Sequence, residues 1–549
     1  MSFFENHELV FFVARALYHG ITKNFAILWL CVAAVLVGYW LFLMRNRCIG
    51  VINNNAFATF AGLFVVSYLL LMFLLIPWHA HIIWRDNPYI VSPWGIIEPD
   101  ISSDGRYTPI AQQQWRIFFY FLDGEKGWFT VVALEFVLTS LALFFVLMKE
   151  NGFLPALTGV LVFVTDVGVA TVYGDTIFSE RYVIIGFLLF VYGSLGYKKH
   201  YDTPYALIAA MGAHLALYNK EVSLIFLGVT SVTYIVTDLL TKPTMSSSDR
   251  NWQKFWKNYA PEIITLAMCF AFIVMYVVSI FPIRQGESYG SGSFQFSEMI
   301  RVSLRDLFNY RIVFMILAIP LLLLPTVRKV PTWAFYFALA AGSLSYVISY
   351  SILGFEGYYY RAPAIGVFVL VLGWLMANLL SVKWQKLSFL GAIALVLILE
   401  TFPIPLIDKF GRNPSDIDHS SYVLPKGIAA TLDYRFEMAH LYQVATYLKH
   451  LEEVNPSRIR VIFDGQYPWM VRNFISYTKN FLGVRFIASK ELRKGDYIAV
   501  LSRNREYVEQ HFGGSEYREI YASGNVFRGL FSTAQDKKKS YVFEYIGRN

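Results

Sequence analysis

Charge is scarce in this chain: Asp, Glu, Lys and Arg make up only 16% of its 549 residues, well below the quarter or so expected of a soluble domain. Cysteine is scarcer still. Cys31, Cys48 and Cys269 are widely separated and sit mostly within apolar runs, which excludes a disulfide framework and a zinc site and suits small buried hydrophobes. The first residues, Met1 to His19, lack a basic leader and a small-residue cleavage site; they read as an interfacial amphipathic segment and not as a removable signal. No convincing internal repeat relates the two halves, as many transporters would show. Residues 405–549 contain no Gly-rich turn of the kind that cradles phosphates.

What is abundant is apolar surface. Hydrophobic residues reach 56% and aromatic ones 17%, with 13 Trp and 36 Tyr, a composition that fits a polytopic membrane protein with interfacial aromatic belts. The formal net charge of +8 would suggest nucleic acid in a soluble protein. In a membrane protein, Lys and Arg gather on cytoplasmic loops for topological reasons, so no nucleic-acid partner is inferred.

Apolar runs able to cross a bilayer fall near 25–44, 55–77, 128–148, 153–172, 182–197, 204–218, 222–241, 262–282, 311–325, 332–353, 362–381 and 387–404, each of roughly twenty residues or somewhat fewer. That makes about 12 transmembrane helices, of which 204–218 and 311–325 are short enough to need tilt, breakage or shelter. With the N-terminus outside, the inner loops hold Arg45 and Arg47, Lys149, Lys198 and Lys199, Lys242 with Arg250, Lys254 and Lys257, Arg328 and Lys329, and Lys383 with Lys386. Every inner loop is then basic, as the positive-inside rule requires. The even span count leaves the C-terminal segment outside.

The expected fold is therefore a polytopic α-helical membrane domain over 1–404, with a first long outer loop at 78–127, followed by a small α/β extracytoplasmic domain over 405–549. In the latter, 436–454 has helical spacing, 460–463 and 497–501 read as buried strands, and helices are expected near 468–481 and 503–511.

This topology collects the unusual polar segments on one face. They are the loop stretch Glu98-Pro-Asp100-Ile-Ser-Ser-Asp104-Gly-Arg106-Tyr107, the Gly174-to-Arg181 turn containing Asp175 and Glu180, the turn Tyr218-Asn219-Lys220-Glu221, and the segment Gly354 to Arg361 that ends in Tyr358, Tyr359 and Tyr360. The Gly/Ser-interrupted loop 283–310, with Arg284, Glu287, Arg301 and Arg305, lies on the same side; it is either a mobile cover or a plain connector. Outer carboxylates beside outer cations suit the transfer of a sugar from a lipid phosphate to a hydroxyl. The attacking oxygen must lose a proton, which a carboxylate accepts. Negative charge grows on the departing phosphate, which a guanidinium, an ammonium or a metal balances.

Each residue also has a structural explanation. Asp104 fits an ordinary Asp-Gly turn residue, and Asp100 or Glu98 fit helix caps. Glu180-Arg181 and Lys220-Glu221 fit snorkelling charges that pair locally, and Arg361 fits an interface anchor. His79 and His81 are two apart, so they face one way only on a strand; interfacial belt residues are the plainer reading. Glu135, Asp166 and His214 interrupt apolar runs, as helix-to-helix pairs or as a proton path.

Taken together these residues resemble the GT-C superfamily of integral membrane glycosyltransferases, which use polyprenyl- or dolichyl-phosphate-linked sugars. Asp104-Gly105-Arg106-Tyr107 is similar to the Asp-Glu-x-Arg-Tyr stretch of its lipid A aminoarabinose transferase and protein mannosyltransferase group, and Glu98-Pro-Asp100 matches a looser Glu-x-Asp pattern. The chain departs from the group in two places: Gly105 stands where a second acid is found, and two spans precede the long loop. The resemblance implies Asp104, Asp100 and Glu98 as candidate catalytic acids, Arg106, Lys220, Arg361 and Arg181 as contacts to the donor phosphate, and Glu180, Glu221, Tyr107 and Tyr360 as acceptor or supporting residues.

It also implies an inverting transfer from a polyprenyl-phosphate-sugar donor to a glycan, lipid or protein acceptor, at the periplasmic face of a bacterial inner membrane. No nucleotide cofactor is needed. A divalent cation stays open, since some members hold one with the loop acids and others work without it. The competing classes are a lipid-linked oligosaccharide polymerase or ligase, whose large loop usually comes later among the spans, and a polytopic transporter or flippase.

Overall fold

A computed structural model of the chain describes residues 111, 124–174, 178–241, 252–279, 296–307, 310–355, 357–380, 385–393, 426–455, 459–465, 471, 474–475, 485–486, 492–524 and 538–547. The first two expected spans and the loop residues Glu98, Asp100, Asp104, Arg106 and Tyr107, along with His79 and His81, lie outside the described residues.

The described part of the membrane domain is helical. Its helices are α1 (Gly124–Asn151), α2 (Phe153–Val164), α3 (Val167–Gly174), α4 (Glu180–His200), α5 (Thr203–Asn219), α6 (Ser223–Thr241), α7 (Trp252–Ser279), α8 (Phe296–Leu307), α9 (Tyr310–Leu322), α10 (Trp333–Ile352) and α11 (Ala362–Leu379). Among the described residues, five helices are long and apolar enough to cross a membrane, within α1, α6, α7, α10 and α11, or six if the bent pair α2 and α3 counts as one. The chain is an integral membrane protein.

Burial separates the inside of the bundle from its lipid face. Every residue of α11 from Ala362 to Met376 is buried, as expected of a helix that is apolar all round and sits at the centre. By contrast α7 exposes Phe270, Ile273, Val274 and Val277, and α6 exposes Val232, Val236, Leu239 and Leu240. Apolar side chains this numerous on one face of a span are solvated by lipid tails and not by water. Helices α4 and α5 approach closely because small residues face each other; a Cβ on Gly186 would stand 2.7 Å from the Gly212 carbonyl oxygen.

One expectation needs correction. The run 153–172 reads as a single span, but the structure breaks it between Val164 and Val167 with a bend of 64°. Asp166 Oδ1 accepts from the Val169 backbone N–H at 2.9 Å, capping α3 as a new helix, while the Thr165 hydroxyl donates back to the Leu161 carbonyl at 2.5 Å. Asp166 has claimed the Val169 N–H that a continuous helix would use. Helix α7 likewise starts ten residues earlier than its apolar run, with a kink at Tyr259 just before Pro261.

The C-terminal residues form an α/β unit. Helix α12 (Lys426–Val454) precedes strands β1 (Arg460–Gly465), β2 (Arg485–Phe486), β3 (Tyr497–Asn504), β4 (Tyr517–Ala522) and β5 (Lys538–Tyr545), with α13 (Arg505–Phe512) after β3. The sheet order is β2-β1-β3-β5-β4; β1 is parallel to β2 and β3, and β5 is antiparallel to β3 and β4. Alternating residues serve its two faces. Val461, Ala499, Leu501 and Val542 pack with Leu441, Val444 and Leu448 of α12, whereas Ile498, Val500, Tyr541 and Phe543 pack with Val508 of α13. Helix α12 begins ten residues before its expected start, and the expected helix at 468–481 is described only at 471 and 474–475.

Candidate functional site

Helix α4 begins with two ionisable residues, Glu180 and Arg181, both buried. Its other end carries Lys198, Lys199 and His200, about 31 Å away for 21 residues. The two ends of the bundle are therefore separated by a bilayer's hydrocarbon thickness, and buried charge is concentrated at each.

At the end where α4 starts, the sequence-predicted residues form one continuous line of contacts. Glu180 accepts an ion pair from Lys220 Nζ at 2.7 Å. Both sit where helix dipoles favour them, the acid in the first turn of α4 and the cation at the C-cap of α5. Lys220 Nζ also lies 5.0 Å from the centre of the Tyr360 ring, a cation–π contact. Tyr360 ends a short 3-10 turn, Tyr358–Tyr360, and Arg361 follows it at the head of α11. Arg361 then forks onto Asp306 of α8, with Nε to Oδ1 at 3.1 Å and Nη2 to Oδ2 at 3.0 Å. On the other side of Glu180, Arg181 Nε pairs with Glu135 of α1 at 2.9 Å while Nη1 donates to the Val172 carbonyl at 3.1 Å. The Tyr182 hydroxyl donates to the same Glu135 carboxylate at 2.5 Å.

Donor capacity distinguishes these cations. A guanidinium has five N–H groups, and Arg361 spends one on each Asp306 oxygen and two more on the carbonyls of Phe355 at 2.5 Å and Gly357 at 3.0 Å. It is a staple for the 355–361 turn. An ammonium has three N–H groups, and among the described residues Lys220 forms the ion pair with Glu180 and donates no further hydrogen bond. Lys220 therefore has donors to spare.

The floor of the site is aromatic and tightly packed. Tyr350 stacks on Tyr360 with centroids 4.7 Å apart, Tyr346 meets Tyr350 edge-on, and Phe178 meets Tyr359 at 4.6 Å. Gly168 lies under the turn, where a Cβ would run into the Tyr358 carbonyl, so the two backbones approach closely there. The Ser179 hydroxyl donates to the Asn219 carbonyl at 3.2 Å, tying the start of α4 to the end of α5. Glu221 is half-buried beside Lys220.

Deeper in the bundle, Asp166 at the α2–α3 break pairs with Arg311 of α9 at 3.4 Å, and Arg311 also donates to the Val162 carbonyl and the Thr165 hydroxyl. Glu135 and Asp166 are thus helix-to-helix partners of arginines. His214 lies against Tyr218 of its own helix, with the rings tilted and their centroids 4.3 Å apart. The partners Asp306 and Arg311 escape the sequence reading of the site, although each is an ionisable residue at the edge of an apolar run, the signal that exposed Asp166. Among the described residues no three His, Cys, Asp or Glu side chains converge as a metal-binding group.

The opposite end has its own buried pair, Lys198 with Glu262. There the ammonium lies 4.1 Å from the Tyr234 ring centre and 4.8 Å from that of Phe335, and Asp238 accepts from the Tyr259 hydroxyl at 2.6 Å. Among the described residues, none of the sequence-predicted site residues is at that end.

Two crystal structures of ArnT from Cupriavidus metallidurans resemble the chain in overall shape. The form bound to undecaprenyl phosphate has a TM-score of 0.44 at 12% identity, covering 88% of this chain and 97% of that one. The apo form has a TM-score of 0.45 at 11% identity, covering 88% of this chain and 98% of that one. No protein-family model matches the chain, and no curated protein does. Likeness this loose carries no functional information by itself.

Proposed function

We propose that the protein is an inverting glycosyltransferase that moves a sugar from a polyprenyl-phosphate donor to an acceptor hydroxyl on a glycan, lipid or protein. The reaction is placed at the membrane end where α4 begins, on the periplasmic side of a bacterial inner membrane. The observation that carries this is the unbroken line Glu135, Arg181, Glu180, Lys220, Tyr360, Arg361 and Asp306, in which Lys220 keeps spare donors. A buried ammonium with unspent N–H groups at a membrane surface suits a lipid phosphate, which arrives by diffusing in the plane of that surface.

In the proposed reaction the acceptor oxygen attacks the anomeric carbon as the bond from that carbon to the phosphate oxygen breaks, and the electron pair leaves with the phosphate. Asp104 accepts the hydroxyl proton, with Asp100 and then Glu98 as the next acids in the same loop. Lys220 and Arg106 balance the charge that grows on the departing polyprenyl phosphate. Glu180 holds Lys220 in place, Arg181 anchors α4 to α1, and Arg361 fixes the turn that presents Tyr360. Tyr107 and Glu221 are assigned to the acceptor side. A single displacement inverts the anomeric centre.

The test is turnover of a panel of polyprenyl-phosphate sugars by the purified protein. Wild type should release polyprenyl phosphate from at least one donor, and folded Asp104→Asn protein should not. Near-normal turnover by Asp104→Asn would remove the assignment of the base, and consumption of no donor by wild type would remove the reaction.

A further inference from the structure

The C-terminal unit holds a second constellation, unconnected with the membrane site. Strands β1 and β3 are parallel neighbours, and both faces of the sheet are covered: Phe474 packs with α12 on one and Val508 of α13 packs on the other. The carboxyl ends of the strands are where open α/β sheets bind ligands.

The carboxyl end of β3 gathers donors. Ser502 adopts a positive φ of 53° at a register shift between Val500 and Arg503, a bulge of the kind that re-aims a strand's last side chains. Arg503 Nη2 donates to Asp464 Oδ1 at 3.3 Å and to the Gly465 carbonyl at 2.9 Å, and its guanidinium lies 4.1 Å from the Tyr507 ring centre. The Tyr507 hydroxyl donates to Asp464 Oδ2 at 3.0 Å. Burial and that bond hold the hydroxyl above its ordinary pKa, so it remains a donor. Both Asp464 oxygens are therefore engaged, one by Arg503 and one by Tyr507, while Arg503 Nη1 has no hydrogen-bond partner among the described residues. Asn504 Oδ1 accepts from the Tyr507 backbone N–H, which leaves its amide N–H groups unspent at the N-terminus of α13.

The neighbouring strand adds like charge. Lys539 stands directly opposite Arg503 and Lys538 opposite Asn504. Like charges facing each other across strands repel, and Lys539 has no ion pair among the described residues. Asp464 is already committed to Arg503, Arg505 pairs with Glu509 and Glu519, and exposed Glu506 is the remaining acid in the first turn of α13.

We propose that the carboxyl end of β3 binds an oxyanion, a phosphate or a carboxylate, through Arg503, Lys539 and Asn504, with Asp464 and Tyr507 as positioning residues. Its assignment to an anionic group carried by the acceptor rests on the transferase reading above; the binding itself does not. The experiment is calorimetric titration of the full-length protein in detergent with inorganic phosphate, glucose 6-phosphate, glucuronate and glucose.

The anions should bind and glucose should not. Arg503→Gln and Lys539→Gln should each weaken binding about tenfold, the usual loss for one charge-assisted hydrogen bond, while donor hydrolysis and Asp104→Asn behaviour stay unchanged. Glucose binding as tightly as the anions, or undiminished anion binding in both variants, would overturn the site. Lys539→Gln, at the sheet margin, carries the test if Arg503→Gln does not fold. Tighter binding of either sugar anion than of inorganic phosphate assigns the site to the acceptor and tells phosphate from carboxylate; equal affinity overturns that assignment. Because binding is read without turnover, the site stands or falls separately from the reaction.

Discussion

Replacing Lys220 and Glu180 singly and together separates fold from function at the heart of the site. The two side chains are 9% and 2% exposed and meet at 2.7 Å, so removing one leaves the other's charge buried and unpaired. Breaking such a pair costs about 3–5 kcal/mol. Replacing both partners by neutral groups of similar volume is often close to neutral. Lys220→Met and Glu180→Gln should therefore each lower the thermal unfolding midpoint strongly in nanodiscs, and the double variant should recover most of that loss.

Activity should not recover with it. If Lys220 faces the phosphate as charge develops there, its loss should cost on the order of 10²–10³ in turnover, and the well-folded double variant should release polyprenyl phosphate that much more slowly. A double variant as stable as wild type and equally active would refute the phosphate role. Single variants no less stable than the double would refute the reasoning from burial.

Arg361→Lys should cost about 3 kcal/mol, since an ammonium cannot fork onto Asp306 while also reaching the Phe355 and Gly357 carbonyls; a midpoint within a degree of wild type would contradict the staple. Gly168→Ala should destabilise by about 1–3 kcal/mol through overpacking against the Tyr358 carbonyl and reduce turnover without changing any charge, which unfolding and activity assays read together. Lys198→Met, at the far end of α4, should destabilise by about 3 kcal/mol by stranding Glu262 yet leave the KM for donor unaltered; a raised donor KM would place the lipid at the wrong end.

The spans were legible because lipid exposure and burial both demand apolar residues, and α6, α10 and α11 fall within two residues of their expected limits. The break in 153–172 was not, since hydropathy is blind to Asp166 turning back on its own backbone. At the site, sequence neighbours such as Glu180-Arg181 and Lys220-Glu221 suggest local pairing. The fold instead crosses them: Glu180 meets Lys220 forty residues on, and Arg181 meets Glu135 on another helix. Such partners are set by which helices adjoin, information that no local pattern holds. In the C-terminal unit β1 and β3 stood out as apolar runs, whereas β5 opens on Lys538 and Lys539 and β4 has no fully buried position, so neither shows a strand's pattern clearly.

Photo-crosslinking of a polyprenyl phosphate bearing a reactive group beside its phosphate, followed by mass-spectrometric mapping of the adduct, tests the central claim most directly. The label should fall on residues 178–182, 218–222 or 358–361, or on the loop stretch 98–107. An adduct confined to the end marked by Lys198 and Glu262 would contradict it.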